Sequence, residues 1–142
     1  MNSWKLSRKI AKDIYDLISE NPKLLRDYPL KDQMKRSCGS IMDNIAEGYG
    51  RGNSKEFITF LGYSKGSCTE LMSQLFRAQD AGYVAPDYRV QLHGKIDEVL
   101  AMNSKLIEYL NSTNIRGSRY TASEPESIYN GTNPDIPPLI LF

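Results

Sequence analysis

His93 is the one histidine in the chain, and it follows Arg89 by a single helical turn. An Arg and a His on one helix are the residue types with which small helical ribonucleases hold a phosphate and move a proton. Those enzymes leave a longer interval between the two, and here only three residues intervene. His93 shares its stripe with Leu100 and Ile107, so it is read as a residue flanking the core. Carboxylate pairs at helical spacing, Asp13/Asp16 and Asp43/Glu47, lack the Glu-x-x-His partners of a bundle metal site. Cys38 and Cys68 have no second Cys or His at ligand spacing. Both fall on apolar stripes, where a thiol behaves as a small hydrophobe. The glycine-rich segment GYGRGNSK follows a helix and lacks the Gly-Lys-Ser/Thr ending of a phosphate loop. No enzyme activity, metal or cofactor is expected.

The remaining chemistry is recognition. Lys5, Arg8, Lys9 and Lys12 give the first helix a basic side, and Lys31, Lys35 and Arg36 do the same at the start of the second. Cations on helix faces ordinarily serve solvation. In an assembly of identical subunits, Lys5, Arg8, Lys9, Lys12, Lys35, Arg36 and Arg51 would instead add up to a basic face that binds RNA or DNA phosphates in a salt-dependent way. Asn44, Glu47, Gly48 and Arg51 form a second group, at the end of the second helix. A carboxylate there opposes the helix dipole unless Arg51, or Lys55 beyond the turn, offsets it. Asn44 has free backbone groups of the glycine-rich loop within its expected reach. The group is either a polar clasp on the corner or a site for a phosphate or a partner's backbone.

The elements that must position these residues are helices. The chain has 142 residues, 40% of them hydrophobic and 25% charged, with a net charge of +1. That suits one domain with a real core, and any basic function must be local. No apolar run reaches the ~20 residues of a membrane span, and the start lacks the apolar stretch of a signal peptide. A soluble, cytoplasmic protein is expected.

Four helices emerge from apolar spacing. The first, from about Ser3 to Ser19, carries Trp4, Ala11 and Ile18 beside Ile10, Ile14 and Leu17, and Asn21-Pro22 ends it. The second, from about Leu30, carries Met34, Cys38, Ile41 and Ile45 and stops at Gly48, Gly50 and Gly52. The third opens with Ser54 as N-cap and Glu56 in its first turn. Phe57, Leu61, Ser64, Cys68, Leu71, Leu75 and Ala78 then alternate at spacings of 4 and 3 until Gly82. The fourth starts near Pro86 and repeats the pattern with Leu92, Ile96, Val99, Asn103, Leu106 and Leu110. Long stripes joined by short loops imply an all-α, antiparallel up-down four-helix bundle over residues 1–111.

Residues 112–142 have a different composition, rich in Ser, Thr, Asn, Gly and Pro, which implies a flexible tail. Its end is unusual: Pro137, Pro138, Leu139, Ile140, Leu141 and Phe142 place large apolar side chains on a polar segment. They either fold back on the bundle or a neighbouring subunit, or form an extended motif that enters a groove of a partner.

The third helix is crowded with small residues, and each mid-helix glycine costs about 1 kcal/mol against alanine. Gly62, Gly66 and Ser67, with the aromatics Phe60, Tyr63 and Phe76 on several faces, imply close approach of another helix. That helix belongs either to the same chain or to a second subunit.

The run from Ser40 to Val84 resembles the four-helix-bundle proteins encoded in intervening sequences of bacterial 23S rRNA genes. That family includes the accessory variability determinant (Avd) of diversity-generating retroelements. The resemblance lies in Ser40-Ile41, Asn44-Ile45-Ala46-Glu47-Gly48, Arg51, Phe57, Phe60-Leu61, Gly66-Ser67, Glu70-Leu71 and Gly82-Tyr83. It covers about residues 4–111. It implies a non-enzymatic homo-oligomer, a ring of five subunits. In the retroelement branch it implies an accessory that binds a reverse transcriptase and nucleic acid. The other branch implies a self-assembling protein with no direct nucleic-acid role.

Overall fold

A computed structural model describes residues 3–113, and all the secondary structure among them is helical. There are five helices: α1 (Ser3–Glu20), α2 (Pro22–Arg26), α3 (Tyr28–Gly50), α4 (Ser54–Asp80) and α5 (Pro86–Thr113). Four are long. The fifth, α2, is a single short helix that apolar spacing could not reveal. Its cause is local: Asn21 is extended (φ −115°, ψ 103°), and its side chain accepts from the backbone N–H groups of Lys23 and Leu24. Pro22 then stands where a helix has no use for an N–H. Pro22 therefore starts a helix as well as ending one. Asp27 repeats the device for α3, accepting from the N–H of Leu30 ahead of Pro29. The second long helix thus begins at Tyr28, earlier than Leu30.

The other helix ends depart from expectation for similar reasons. The N-cap of α4 is Asn53, whose side chain accepts from the N–H of Glu56 at 2.9 Å while its amide reaches the Glu56 carboxylate. The first bond is that of an N-cap; the second joins the two side chains, whereas a capping box would return the carboxylate to the cap's own backbone N–H. Ser54, expected as the cap, is instead the first helical residue and is buried. Gly48 and Gly50 lie within α3, and only Gly52 takes the left-handed conformation, at φ +78°. The end of α4 is a Schellman motif: Gly82 has φ +78°, its N–H reaches Gln79 O, and that of Tyr83 reaches Ala78 O.

Helix α3 packs on both α1 and α4, α5 packs on α4 and on α1, and α2 bridges α1 and α3. Between α3 and α4, Gln33 meets Arg77, Ser40 meets Ser67, and Gly48 lies against Phe57. Residue numbers rise in one helix as they fall in the other.

The core divides in two. One cluster joins Ile10, Ile14, Met34, Cys38, Ile41, Cys68, Leu71, Leu75, Leu92, Ile96 and Val99. The other joins Trp4, Ile45, Phe57, Leu61, Leu106 and Leu110. Each fully buried large side chain contributes about 1.5–3 kcal/mol. A polar layer separates the clusters: Ser64 Oγ donates to the Ile41 carbonyl at 2.8 Å, and Asn103 Nδ2 donates to Ser64 Oγ at 3.1 Å. Both side chains are fully buried.

The expected tail is largely outside the described residues, including Pro137, Pro138, Leu139, Ile140, Leu141 and Phe142. Its first two positions, Ser112 and Thr113, complete α5.

Candidate functional site

The α3–α4 corner is built by a close approach. A Cβ on Gly48 would stand 2.7 Å from Phe60 Cβ and 3.0 Å from Phe57 Cδ1, so only glycine lets α4 lie this near. Above that contact Arg51 donates to Glu47 Oε1 at 2.8 Å and lays its guanidinium 5.0 Å from the Phe60 ring centre. Both charged side chains are about half exposed, so the pair adds only a few tenths of a kcal/mol. Asn44 takes no part in the loop. Its amide donates to the carbonyl and hydroxyl of Ser40, and the Ser40 hydroxyl meets that of Ser67 at 2.8 Å. The expected bond from Asn44 to the glycine-rich loop is absent because the side chain points back one turn, to Ser40. This corner joins two helices, and its cation already has a carboxylate partner.

The outer face of α4 is different. Thr59, Gly62, Gly66, Thr69 and Ser73 follow at spacings of 3, 4, 3 and 4, all exposed. They lie opposite the stripe that α4 buries. Among the described residues nothing lies within 4 Å of a Cβ built on Gly62 or Gly66. Close approach by another helix of the same chain, one of the two expectations for these glycines, is therefore corrected. Tyr63 and Phe76 flank the strip at 56% and 47% exposure. Phe60 is half-buried and meets Tyr63 edge-to-face at 5.5 Å. Ser67 is turned inward to Ser40. Of the five residues expected together, only Gly62, Tyr63 and Gly66 open outward.

The basic residues do not form one patch. Lys5, Arg8, Lys9 and Lys12 are exposed along α1, where Arg8 lies over Trp4 and Lys12 pairs with Asp16 at 2.8 Å. The Asp16 bond raises the Lys12 pKa. Lys35 faces α1, with its ammonium 5.0 Å from the Tyr15 ring centre, and Arg36 is exposed. Arg51, on the α4 side of α3, is not brought to them. Sequence reasoning missed two residues on this side, Tyr15 and Tyr28. They are 50% and 64% exposed, and Lys31 lies 4.5 Å from the Tyr28 ring centre. Tyrosines off the apolar stripe beside lysines were the available signal.

Arg89 and His93 do meet. Arg89 Nη1 lies 3.1 Å from His93 Nδ1, and His93 Nε2 lies 3.2 Å from the Met72 carbonyl. A carbonyl can only accept, so Nε2 carries the proton and Nδ1 accepts from Arg89. Phe76 stands edge-on to the imidazole, under the Arg89 guanidinium, and Gln79 accepts from Arg89 Nε. Burial and then the Arg89 charge lower the His93 pKa. These contacts hold Arg89 and His93 of α5 against Met72, Phe76 and Gln79 of α4. Burial pushes the thiols of Cys38 and Cys68 up to about 11 and about 12, so both stay protonated. Among the described residues no three His, Cys, Asp or Glu side chains gather as a metal site, and no helix is long and apolar enough to cross a membrane.

No curated protein matches the chain significantly. A family model, that of the 23S rRNA-intervening sequence protein, matches residues 1–105, which span α1 to α4 and most of α5. The chain belongs to the 23S rRNA-intervening sequence protein family.

Proposed function

We propose that the chain is a non-catalytic, self-assembling scaffold of the cytoplasm that serves a nucleic-acid-processing partner. In this reading α1, α3, α4 and α5 form an antiparallel up-down four-helix bundle, the domain expected over residues 1–111 and carried to Thr113 by α5, and the residues after it are an appendage. Copies join through the outer face of α4 into a homo-oligomer, a ring of five. The observation that carries the reading is the exposed strip of Thr59, Gly62, Gly66, Thr69 and Ser73 between Tyr63 and Phe76. Two glycines weaken the helix there by about 1 kcal/mol each, and no contact among the described residues uses their missing side chains. A helix from another copy would use them, since small residues let backbones come close. The opposed sense of the α3–α4 contacts supports the bundle topology.

The partner implied by the resemblance is the reverse transcriptase of a diversity-generating retroelement. Lys5, Arg8, Lys9, Lys12, Lys35, Arg36 and Arg51 would then face RNA or DNA, and residues 137–142 would enter the partner's groove. Family membership favours a second reading, a self-assembling product of an rRNA intervening element with no direct nucleic-acid role. Light scattering at micromolar concentration tests assembly: a monomer would sink the proposal. Co-purification with a reverse transcriptase encoded beside the gene separates the two readings.

A further inference from the structure

The first 36 residues hold nine Lys and Arg against five Asp and Glu, although the whole chain is nearly neutral. Several of those carboxylates are occupied. Asp13 takes Lys95 at 2.6 Å, Asp16 takes Lys12, and Asp27 accepts from the Tyr83 hydroxyl and the N–H of Leu30. Glu20 and Asp32 are the exposed exceptions. Lys31, Lys35 and Arg36 meet no carboxylate among the described residues. The same 36 residues expose Tyr15, Tyr28 and Leu25, half of the exposed large hydrophobics among the described residues.

The arrangement is regular. Lys31 and Lys35 are one turn apart on α3, about 6 Å along its axis. Lys31 lies over the Tyr28 ring and Lys35 over the Tyr15 ring, which α1 supplies. Two exposed aromatic rings thus stand in sequence along the α1–α3 side, each with an ammonium that has no carboxylate among the described residues. A tyrosine ring exposed to this degree forgoes burial. Its pairing with a lysine at an exposed site is weak, weaker than the stacking of a base.

We propose that this row is a binding platform for single-stranded nucleic acid, with bases stacking on Tyr15 and Tyr28 and phosphates meeting Lys31, Lys35 and Arg36. A single strand fits the row better than a duplex, because its bases are free to leave their own stack and every base has a face for an aromatic ring. The row names a ligand class for the nucleic-acid role proposed above and rests on that role. It does not depend on the α4 face.

The test is fluorescence anisotropy with a labelled single-stranded oligonucleotide and with its duplex, at two salt concentrations, on the full chain. The wild type should prefer the single strand. Y15A/Y28A should weaken its binding roughly tenfold or more, given the strength of base–aromatic stacking, with little change in salt dependence. Tyr→Phe at both positions should retain binding, because the ring remains. K31A/K35A should flatten the salt slope by roughly 0.7 per lysine removed. Circular dichroism and light scattering on each variant report fold and assembly separately. The proposal is overturned if folded Y15A/Y28A binds as the wild type does, if duplex binds equally well, or if polyglutamate displaces the strand as readily as unlabelled oligonucleotide. If no oligonucleotide binds while the protein still assembles, the platform fails and the scaffold reading stands.

Discussion

Gly48 and Gly66 are both glycines inside long helices, and the same substitution should move stability in opposite directions. A methyl group at Gly48 meets Phe60 Cβ, which is fixed to its backbone, and the buried Phe57 ring, so Gly48→Ala should cost about 1–3 kcal/mol by overpacking. At Gly66 it meets nothing among the described residues, so Gly66→Ala should gain up to about 1 kcal/mol of helix propensity. Urea denaturation of the two variants checks this, and equal effects would refute the account of the α3–α4 approach. His93 offers a second residue-level prediction. Its pKa in the folded protein lies below the ordinary 6.5, through burial and then Arg89. The unfolded chain therefore takes up the proton first, and stability present above about pH 6.5 is lost as pH falls through the lowered folded value. Thermal melts from pH 7.5 to 5 should show that loss, and His93→Gln should diminish it.

At the scale of the element, caps and a buried polar layer decide where helices begin and how they align. Asn53→Ala removes the acceptor for the Glu56 N–H and should cost about 0.5–2 kcal/mol, with urea unfolding as the measure. Ser54→Ala leaves that cap in place, so it discriminates between the two residues. Asn103 sits between the two apolar clusters with its Oδ1 unpartnered. A buried acceptor left without a donor costs about 1–3 kcal/mol, and a polar residue at such a position fixes register at the expense of stability. Asn103→Leu should therefore raise the urea midpoint, while broader side-chain NMR lines report a less uniquely packed core. A lower midpoint would mean that the amide is a net stabiliser.

For the whole molecule, the central expectation is assembly through α4. Gly66→Leu fills the exposed strip without touching the chain's own core, so the folded monomer should survive with unchanged helicity. The assembly should weaken by about 1–3 kcal/mol, the scale of an overpacked contact, seen in light scattering as dissociation at higher protein concentration. Unfolding of the variant, in place of dissociation, would return these glycines to a role within the subunit.

The sequence by itself determined the class and the core. Stripes such as Met34, Cys38, Ile41 and Ile45, or Leu92, Ile96 and Val99, recur at the period of a helix because only one face of each helix leaves water. It also carried the family, through the run from Asn44 to Gly48 and the residues that follow. The helix ends were less legible. Asn21, Asp27 and Asn53 are caps because their neighbours' N–H groups point at them, and Ser54 was as plausible by type. The surface was least legible. Whether a glycine serves a close approach depends on what stands opposite, and Gly48 faces Phe60 while Gly62 and Gly66 face solvent. Spacing along one helix contains no information about the neighbouring helix. For the same reason Tyr15 joins Lys35, and Arg51 parts from the other cations, only once α1 and α4 have each packed against α3.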